Sequence, residues 1–324
     1  MKKITFLFLA FACLLACDET PKENQIVLTD SSGRINSISV VVDNELWRGE
    51  VGEVLREYLA APVAGLPQDE PLFSLSQIPP ESFSGFVRKS RNFLKIEKGQ
   101  MGLEVTKDLY ARPQTGIVIS GQSQKEIINV IKAEAENIIA TFKSAEIKEN
   151  QRRIRKSLQN NAPLKDSLGV SLKFPTAYRY AVQEDDFFWL RKEIPNGGMN
   201  ILVFEIPYNT IKKDSNIVSQ IIKIRDSIGK KHIPGPTEGT HMITEKAYAP
   251  YLFETEIDDR FAYETKGTWE VKGAFMAGPF VNYIVDDKEN DRYVVLEGFT
   301  FAPSAFKRDN MFELEAILKS AEIE

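Results

Sequence analysis

The chain has 324 residues, and its 41 lysine and arginine residues are outnumbered by 46 aspartate and glutamate residues. A formal net charge of −5 argues against a nucleic-acid partner, because such proteins present a basic face to the phosphate backbone. Two cysteines and two histidines provide few ligands for a transition metal. We therefore expect no nucleic-acid partner, no metal site and no cofactor.

The first 17 residues, MKKITFLFLAFACLLAC, have the pattern of a bacterial signal peptide. Lys2 and Lys3 precede an uncharged apolar segment, residues 4–15, that is too short to span a membrane. Its end, Leu-Leu-Ala-Cys at residues 14–17, resembles the lipobox of bacterial lipoproteins. In that class the peptide is cleaved before the cysteine, which then carries fatty acyl chains such as palmitate. We expect residues 1–16 to be a signal peptide and Cys17 to be the lipidated residue.

Alternatives to this modification remain open. Cleavage without lipid attachment would make the segment an ordinary secretory signal. Cys13 is a competing lipidation site, although it shortens the apolar segment and places Phe11 two residues before the cysteine. If Cys17 is the modified residue, several acyl chains at about 0.8 kcal/mol per buried methylene provide an anchor that one chain cannot.

Loss of Lys2 and Lys3 with the signal peptide leaves 39 basic and 46 acidic side chains, a net charge of −7. This balance gives no reason to expect electrostatic adhesion to anionic lipid, so the acyl chains are expected to hold the protein at the membrane. Loss of Cys13 and lipidation of Cys17 also leave no thiol for a disulfide, a metal site or a cysteine nucleophile.

Residues 17–33 are predicted to form the lipidated cysteine and a flexible tether. The segment is polar, and a coil of about a dozen residues spans roughly 20 Å, enough to lift a domain clear of the lipid headgroups. Asp18 and Glu19 follow the cysteine directly, where acidic residues act as a sorting signal in bacterial lipoproteins. Such residues retain the protein at the inner membrane in some systems and resemble a surface-export signal in the Bacteroidetes.

The remaining sequence divides at residues 159–163, Gln-Asn-Asn-Ala-Pro, into an N-terminal domain at 34–160 and a C-terminal domain at 164–324. The elements predicted for the first domain are strands at 35–42, 83–97, 103–109 and 116–120 and helices at 46–60 and from 123 onward. Those predicted for the second are strands at 170–174, 178–182, 187–193, 200–206, 242–244, 253–257, 261–271, 273–285 and 293–301 and helices at 214–228 and 309–321. Gly229 is expected to end the helix at 214–228.

Strands followed by a helix occur twice along the chain, which predicts an α+β fold class. We expect two units, each a mainly antiparallel sheet with helices packed on one face. The helix signal is strongest at Ser123 and Glu126, which have the spacing of a capping box. The last turns of that helix are basic and favour either a contact surface or a solvated helix end; the cations are Lys148, Arg152, Arg153, Arg155 and Lys156.

Both histidines fall in one predicted loop, residues 230–242, which is the best candidate ligand-binding site. Pro234 stiffens the loop and Gly235 allows a ligand to approach the backbone, while His232, Glu238 and His241 supply polar or proton-transfer groups. The alternative is a rigid connector whose histidines form hydrogen bonds with nearby backbone.

The segment 266–280 is a second candidate, because Trp269, Phe275, Met276 and Phe280 could line an apolar groove. The same aromatic residues are also typical of a hydrophobic core. Two further cations, Lys307 and Arg308, precede the last predicted helix and favour either an anion site or a solvated pair.

The sequence contains no G-x-S-x-G elbow, no phosphate-binding G-x-x-x-x-G-K-[ST] loop, no G-x-G-x-x-G and no H-E-x-x-H. A glycosidase with two catalytic carboxylates has no characteristic sequence spacing, so it is neither favoured nor excluded. No catalytic residue can be named from these patterns.

Four stretches carry a family resemblance: IPGPTEGTHM at 233–242, WEVKGAFMAGPF at 269–280, EGFTFAP at 297–303 followed by Lys307 and Arg308, and ISVVVDNELW at 38–47. They are similar to an uncharacterised lipoprotein family of the Bacteroidetes, domain of unknown function 4837. The resemblance implies an envelope lipoprotein and favours surface export over inner-membrane retention. It assigns no catalytic residue.

Three hypotheses follow for the function. The preferred one is a lipid-anchored envelope protein, at the outer membrane or cell surface, that binds a protein or small ligand without catalysis. The second is a hydrolase acting on envelope or extracellular polymer, through carboxylates or the loop 230–242. The third is a structural or assembly accessory of the envelope.

Overall fold

The computed structural model describes residues 28–213 and 216–324, which form two large sheets and one two-stranded sheet, with separate hydrophobic cores in the two domains. The predicted signal peptide, Cys17 and most of the predicted tether lie outside these residues. The tether prediction, 17–33, overlaps the folded part at its end. The backbone of Ser31 donates to Arg112 and that of Arg112 donates to Thr29, so the chain is bonded to the N-terminal domain from Thr29 onward.

The N-terminal domain contains a five-stranded sheet of order β2-β1-β3-β5-β4. Its strands are β1 (Ser37–Val41), β2 (Ser74–Ile78), β3 (Asn92–Lys98), β4 (Gly102–Lys107) and β5 (Thr115–Gly121). Only the β4–β5 pairing is antiparallel and the other three are parallel, so the prediction of a mainly antiparallel sheet is wrong for this domain. The predicted strand at 83–97 begins only at Asn92, since short 3-10 turns occupy part of 79–91. That connection of 13 residues is long enough for a parallel return.

The helices of this domain are α1 (Asn44–Arg48), α2 (Glu50–Leu59) and α3 (Gln124–Ile154). Their apolar residues pack on one face of the sheet, as predicted, and Ile131, Ile138 and Phe142 of α3 are fully buried there. The capping prediction is confirmed. The hydroxyl of Ser123 accepts from the backbone nitrogen of Glu126, and the Glu126 carboxylate accepts from that of Gln122.

The C-terminal domain contains an antiparallel sheet of order β10-β12-β13-β14-β9-β8-β7, with β11 paired to β12. Its strands are β7 (Arg179–Gln183), β8 (Phe187–Ile194), β9 (Gly197–Pro207), β10 (His241–Thr244), β11 (Tyr251–Ile257), β12 (Arg260–Lys272), β13 (Ala277–Asp287) and β14 (Arg292–Phe301). A two-stranded sheet pairs β6 (Val170–Ser171) with β15 (Glu322–Ile323). The α+β class is confirmed, and the antiparallel prediction is correct for this domain.

Three helices, α4 (Ala162–Leu168), α5 (Ile217–His232) and α6 (Arg308–Leu318), cover both faces of the large sheet. Helices α4 and α6 pack with Val281 and Tyr283 of β13, whereas α5 packs with the alternate residues Phe280 and Ile284. The prediction of helices on one face is therefore wrong here. The physical reason is that β13 is apolar on both sides, and both sides must be buried.

Helix α5 extends to His232, four residues beyond its predicted end. Gly229 lies inside the helix instead of ending it. A Cβ atom at this position would lie 2.1 Å from the carbonyl oxygen of Met242, so the position must be glycine. Glycine thus allows α5 to pack against β10. Helix α4 is absent from the sequence prediction, because Pro163 is expected to interrupt a helix. Proline in the first turn costs no hydrogen bond, however, since the N–H groups of that turn have no partner within the helix. Among the described helices, none has the length and apolar character needed to span a bilayer.

Candidate functional site

A cavity of about 370 Å³ lies between the two domains, and we call it the interdomain cavity. The N-terminal domain contributes the loop 62–66, residues next to β2, and α3, while the C-terminal domain contributes β12, β13 and α6. Most of the lining is apolar, and it includes Val63, Leu66, Phe73, Ile139, Phe280, Met311 and Phe312. The polar part of the lining consists of Asn36, Lys143, Glu264, Lys266, Arg308 and Glu315.

A glycine brings the N-terminal loop against β12. Gly65 has φ +81°, and a Cβ atom there would lie 2.9 Å from the backbone nitrogen of Gly267 and from the carbonyl carbon of Lys266. Only glycine combines this backbone conformation with this approach. The loop is closed by backbone hydrogen bonds from Val63 to Glu70 and from Leu72 to Ala61.

The same loop caps a helix of the other domain. The Glu70 side chain is buried, and its carboxylate accepts from the backbone nitrogens of Lys307 at 2.7 Å and Arg308 at 2.9 Å. These nitrogens lie at the start of α6, whose own N-cap residue makes no side-chain cap. A carboxylate at a helix N-terminus satisfies free N–H groups and interacts favourably with the helix dipole. Helix α6 therefore depends on the N-terminal domain for its cap.

Buried charges from both domains meet beside the cavity. The Lys266 ammonium lies 3.0 Å from Glu264 and 3.5 Å from Glu315. Lys143 of α3 lies 2.7 Å from the Glu315 carboxylate, so this pair joins the two domains. The Tyr283 hydroxyl donates to Glu264 at 2.8 Å.

The charges of this network hold one another in their ionised forms. Burial alone would raise the pKa of Glu315, but Lys266, Lys143 and Lys319 outweigh it and keep that pKa well below its ordinary value. The pKa of Glu264 is lowered in the same way, against the effect of burial, mainly by Lys266. Burial would lower the pKa of Lys266, yet Glu315 and Glu264 raise it.

These directions limit the chemistry of the cavity. A glycosidase needs one carboxylic acid that stays protonated near neutral pH, and its pKa must be raised for that role. Glu264 and Glu315 are both shifted the other way. Within residues 28–213 and 216–324, no group of three or more histidine, cysteine, aspartate or glutamate side chains is placed to hold a metal ion. The arrangement is suited to binding a ligand by fixed charges and apolar walls.

Asn36 belongs to the cavity lining and has a buried side-chain amide without a hydrogen-bond partner among the described residues. Its side chain is 1% exposed, and neither its amide nitrogen nor its amide oxygen has a hydrogen-bond partner among the described residues. The residue has φ +56°, and its backbone nitrogen donates to Glu146 at 2.6 Å. Nearly all buried polar groups in native proteins are paired, so this unpaired amide marks Asn36 as an unusual residue of the cavity lining.

The predicted site residue His232 is the last residue of α5 and not part of a loop. Its side chain is 6% exposed, its ring stacks on Phe187 at 3.8 Å, and Nδ1 lies 3.7 Å from the Glu184 carboxylate. Burial and the nearby Lys231 lower its pKa, so the ring is neutral at pH 7. This environment is that of a packed side chain.

The other predicted site residues do not lie together in one cavity. Pro234, Gly235 and Trp269 line a second cavity of about 440 Å³ at the edge of the C-terminal sheet, the aromatic groove, together with Trp189 and Phe301. The described lining of that groove does not include His232, Glu238 or His241. Glu238 is exposed, and His241 pairs in β10 with Lys272 and bridges to Pro234. Ligand binding by these residues stays a prediction.

The apolar side chains of the segment 266–280 also lie in different places and do not form one groove. Met276 lines the aromatic groove, Phe280 is buried beside the interdomain cavity, and Phe275 is fully exposed. Lys307 and Arg308 were candidates for binding an anion. Their backbone nitrogens bind the carboxylate of Glu70, which belongs to the same chain.

Sequence reasoning named Phe280 and Arg308 of the interdomain cavity but missed the charged and polar residues beside it, although part of a signal was present. Glu315 follows Met311 and Leu314 on the buried stripe of α6, and Glu146 follows Phe142 on the buried stripe of α3. A carboxylate at an inward position of an amphipathic helix requires a partner, and this could have marked both residues. Glu70 and Asn36 have no comparable local signal.

The geometry defines a class: a two-domain α+β protein with a ligand-sized cavity between its domains. Residues 157–320 match the family model "Domain of unknown function (DUF4837)", which covers half of the chain. The chain belongs to this family, as its sequence indicated. Residues 31–155 match a second one, "Domain of unknown function (DUF8532)", so the resemblance noted at 38–47 belongs to that second match. A comparison with curated proteins finds no match.

Proposed function

We propose that this protein is a lipid-anchored protein of the bacterial envelope that binds a small ligand in the interdomain cavity without catalysis. The anchor is supported by the lipobox-like sequence ending at Cys17. The acidic residues after the cysteine fit either membrane, and the resemblance to a lipoprotein family of the Bacteroidetes favours the outer membrane or cell surface. The observation on which the binding proposal rests is the mostly apolar interdomain cavity of about 370 Å³, whose lining includes Asn36 with its unpaired amide.

The cavity restricts the ligand by size and chemistry. Its volume lies within the range of small-molecule sites, which are mostly apolar with a few fixed polar groups. An apolar body fits the walls formed by Phe73, Phe280 and Phe312. A polar group that both donates and accepts hydrogen bonds fits the amide of Asn36.

Hydrolysis has weaker support at this cavity, because the two carboxylates of the network are held ionised and neither can act as a general acid. A position between two domains also suits binding. Sites of this kind close and open by small movements of one domain against the other.

Asn36→Gly tests the binding proposal, since glycine keeps the positive φ and removes the side chain with its amide. Ser304→Gly is the control, because Ser304 also has a positive φ but is exposed and belongs to the lining of neither the interdomain cavity nor the aromatic groove. Native mass spectrometry of protein purified from the bacterium that encodes it should show a bound small molecule in the wild type and in the control. The Asn36→Gly variant should lose it. Wild-type protein that carries no small molecule and gains no thermal stability from a cell extract would contradict the proposal.

The anchor has a separate test. The intact mass of protein extracted from membranes should equal that of residues 17–324 plus acyl chains. Cys17→Ser should release the protein from the membrane fraction. An unmodified thiol at position 17 would contradict the anchor without bearing on the cavity.

A further inference from the structure

A second groove, of about 800 Å³, lies between the β4–β5 end of the N-terminal sheet and the C-terminal half of α3. We call it the basic groove, because its lining contains the five cations Arg91, Lys107, Lys148, Arg152 and Arg155 against the two carboxylates Asp108 and Glu149. The hydroxyls of Thr141 and Ser144 are also part of the lining. A local excess of cations is unexpected in a chain with an acidic balance.

The two carboxylates of the groove lining, Asp108 and Glu149, are already engaged by arginine side chains, and Asp30 lies close enough to Arg152 to raise its pKa. Glu149 is 3% exposed and binds both Arg152 and Arg153, each at 2.7 Å. Asp108 lies 3.2 Å from Arg112. Arg91 is compensated from behind the groove by the buried Glu146.

The remaining three cations of the groove, Lys107, Lys148 and Arg155, form no ion pair within the described residues, although Asp108 lies near Lys107. Lys107 donates to the neutral hydroxyl of Thr115 at 2.9 Å. Within the described residues, no carboxylate lies at ion-pairing distance from Lys148 or Arg155. Partial burial and the neighbouring Lys148 lower the pKa of Lys107, and together they outweigh the opposite effect of Asp108. Ammonium and guanidinium groups converging on one groove, with hydroxyls beside them, are the usual donors to a phosphate group.

The groove also lies next to the point where the chain enters the fold. Thr29 and Ser31 form backbone hydrogen bonds with Arg112, which forms an ion pair with Asp108 of the groove lining. Ten residues, 18–27, separate Cys17 from the first described residue. A chain of that length spans at most about 35 Å, so a groove at its end lies within reach of a membrane that holds Cys17.

We infer that the basic groove binds a phosphate group, either on a phospholipid headgroup of the membrane or on a soluble phosphate ester. Lys148 and Arg155 contact the phosphate oxygens, and Lys107 and Ser144 complete the contacts. The inference does not depend on the ligand of the interdomain cavity, and only the lipid source depends on the anchor.

The test uses residues 28–324, which contain both hydrophobic cores, so that no acyl chain contributes to binding. One arm titrates glycerol 3-phosphate by calorimetry. The other measures co-sedimentation with vesicles of phosphatidylcholine containing phosphatidylglycerol. The variant Lys148→Gln/Arg155→Gln removes two groove cations. Lys125→Gln/Lys132→Gln removes two exposed cations of the same helix outside the groove lining.

We expect the groove variant to weaken binding about tenfold or more and the control to weaken it less than about twofold. Binding in both arms, or to vesicles only, supports the lipid headgroup as the source, and binding to glycerol 3-phosphate only supports a soluble ester. The inference is overturned if wild-type protein binds in neither arm, or if both double variants weaken binding equally. Thermal denaturation of the variants checks that each is folded.

Discussion

The carboxylate of Glu70 accepts a hydrogen bond from the backbone nitrogen of Lys307 at 2.7 Å, across 237 positions of sequence. A second hydrogen bond, from the backbone nitrogen of Arg308, makes this carboxylate the cap of α6. The Arg308 side chain then donates to the carbonyl oxygen of Pro71 and to the Ser74 hydroxyl. Residues of the N-terminal domain therefore stabilise the N-terminus of α6, a helix of the C-terminal domain, directly beside the interdomain cavity.

Replacement of Glu70 by glutamine should destabilise the protein by about 1–2 kcal/mol. Glutamine keeps one acceptor oxygen but loses the charge that interacts with the helix dipole and with two backbone N–H groups. Equilibrium denaturation in urea measures the free energy of unfolding. Asp69→Asn is the matched control, because Asp69 is the exposed neighbour in the same loop, and it should change that free energy by less than about 0.5 kcal/mol. Equal effects of the two substitutions would contradict an interdomain cap.

Replacement of Glu297 by glutamine should have a larger effect, about 3–5 kcal/mol. Glu297 and Arg225 form a bidentate pair at 2.7 and 2.8 Å, and both side chains are almost fully buried. Removing the carboxylate leaves the guanidinium charged in an apolar environment, where Phe280 stacks on it at 3.4 Å. The free energy of unfolding again provides the measurement.

Glu205→Gln serves as the comparison for that pair, since Glu205 binds Arg292 at 2.7 Å on a more exposed part of the sheet. Exposed ion pairs contribute about 0–1 kcal/mol, so this substitution should have little effect. A loss from Glu297→Gln that is no larger than this would mean that Arg225 finds another partner or gains access to water.

Local sequence patterns predicted the parts of the fold that local interactions decide. The capping box at Ser123 and the apolar stripe of α3 were predicted correctly, because both depend on residues three or four positions apart. The parallel pairing of β1 with β2 and β3 was missed. Nothing within a strand distinguishes parallel from antiparallel neighbours when both faces are covered.

The interdomain cavity could not be predicted for the same reason. Its charged groups come from α3, β12 and α6, and their proximity arises only when the two domains pack. The loop 230–242 attracted attention because it contains both histidines, yet His232 belongs to a helix and packs on Phe187. A rare residue type marks a site only when its side chain reaches a cavity.

The charge network should make stability depend on acid in a defined way. Because the pKa of Glu315 is held below its ordinary value of 4.5, its ionised form stabilises the folded protein. This contribution is present above pH 4.5 and is lost as the pH falls toward the folded-state pKa. Glu315→Gln should therefore lower the free energy of unfolding at pH 7, and the difference from wild type should shrink between about pH 4.5 and pH 3. A difference that does not change with pH would mean that Glu315 stabilises the fold by packing alone.

Alanine at position 65 should disturb the contact between the domains. Gly65 and Gly239 have φ values of +81° and +79°, but only Gly65 has neighbours where a Cβ atom would lie. Gly239→Ala should cost about 1–2 kcal/mol, the penalty for a left-handed backbone. Gly65→Ala should cost at least about 1 kcal/mol more, because its Cβ atom would press against the backbone of Lys266 and Gly267. Urea denaturation of both variants measures the difference, and equal losses would show that the loop can move away from β12 without cost.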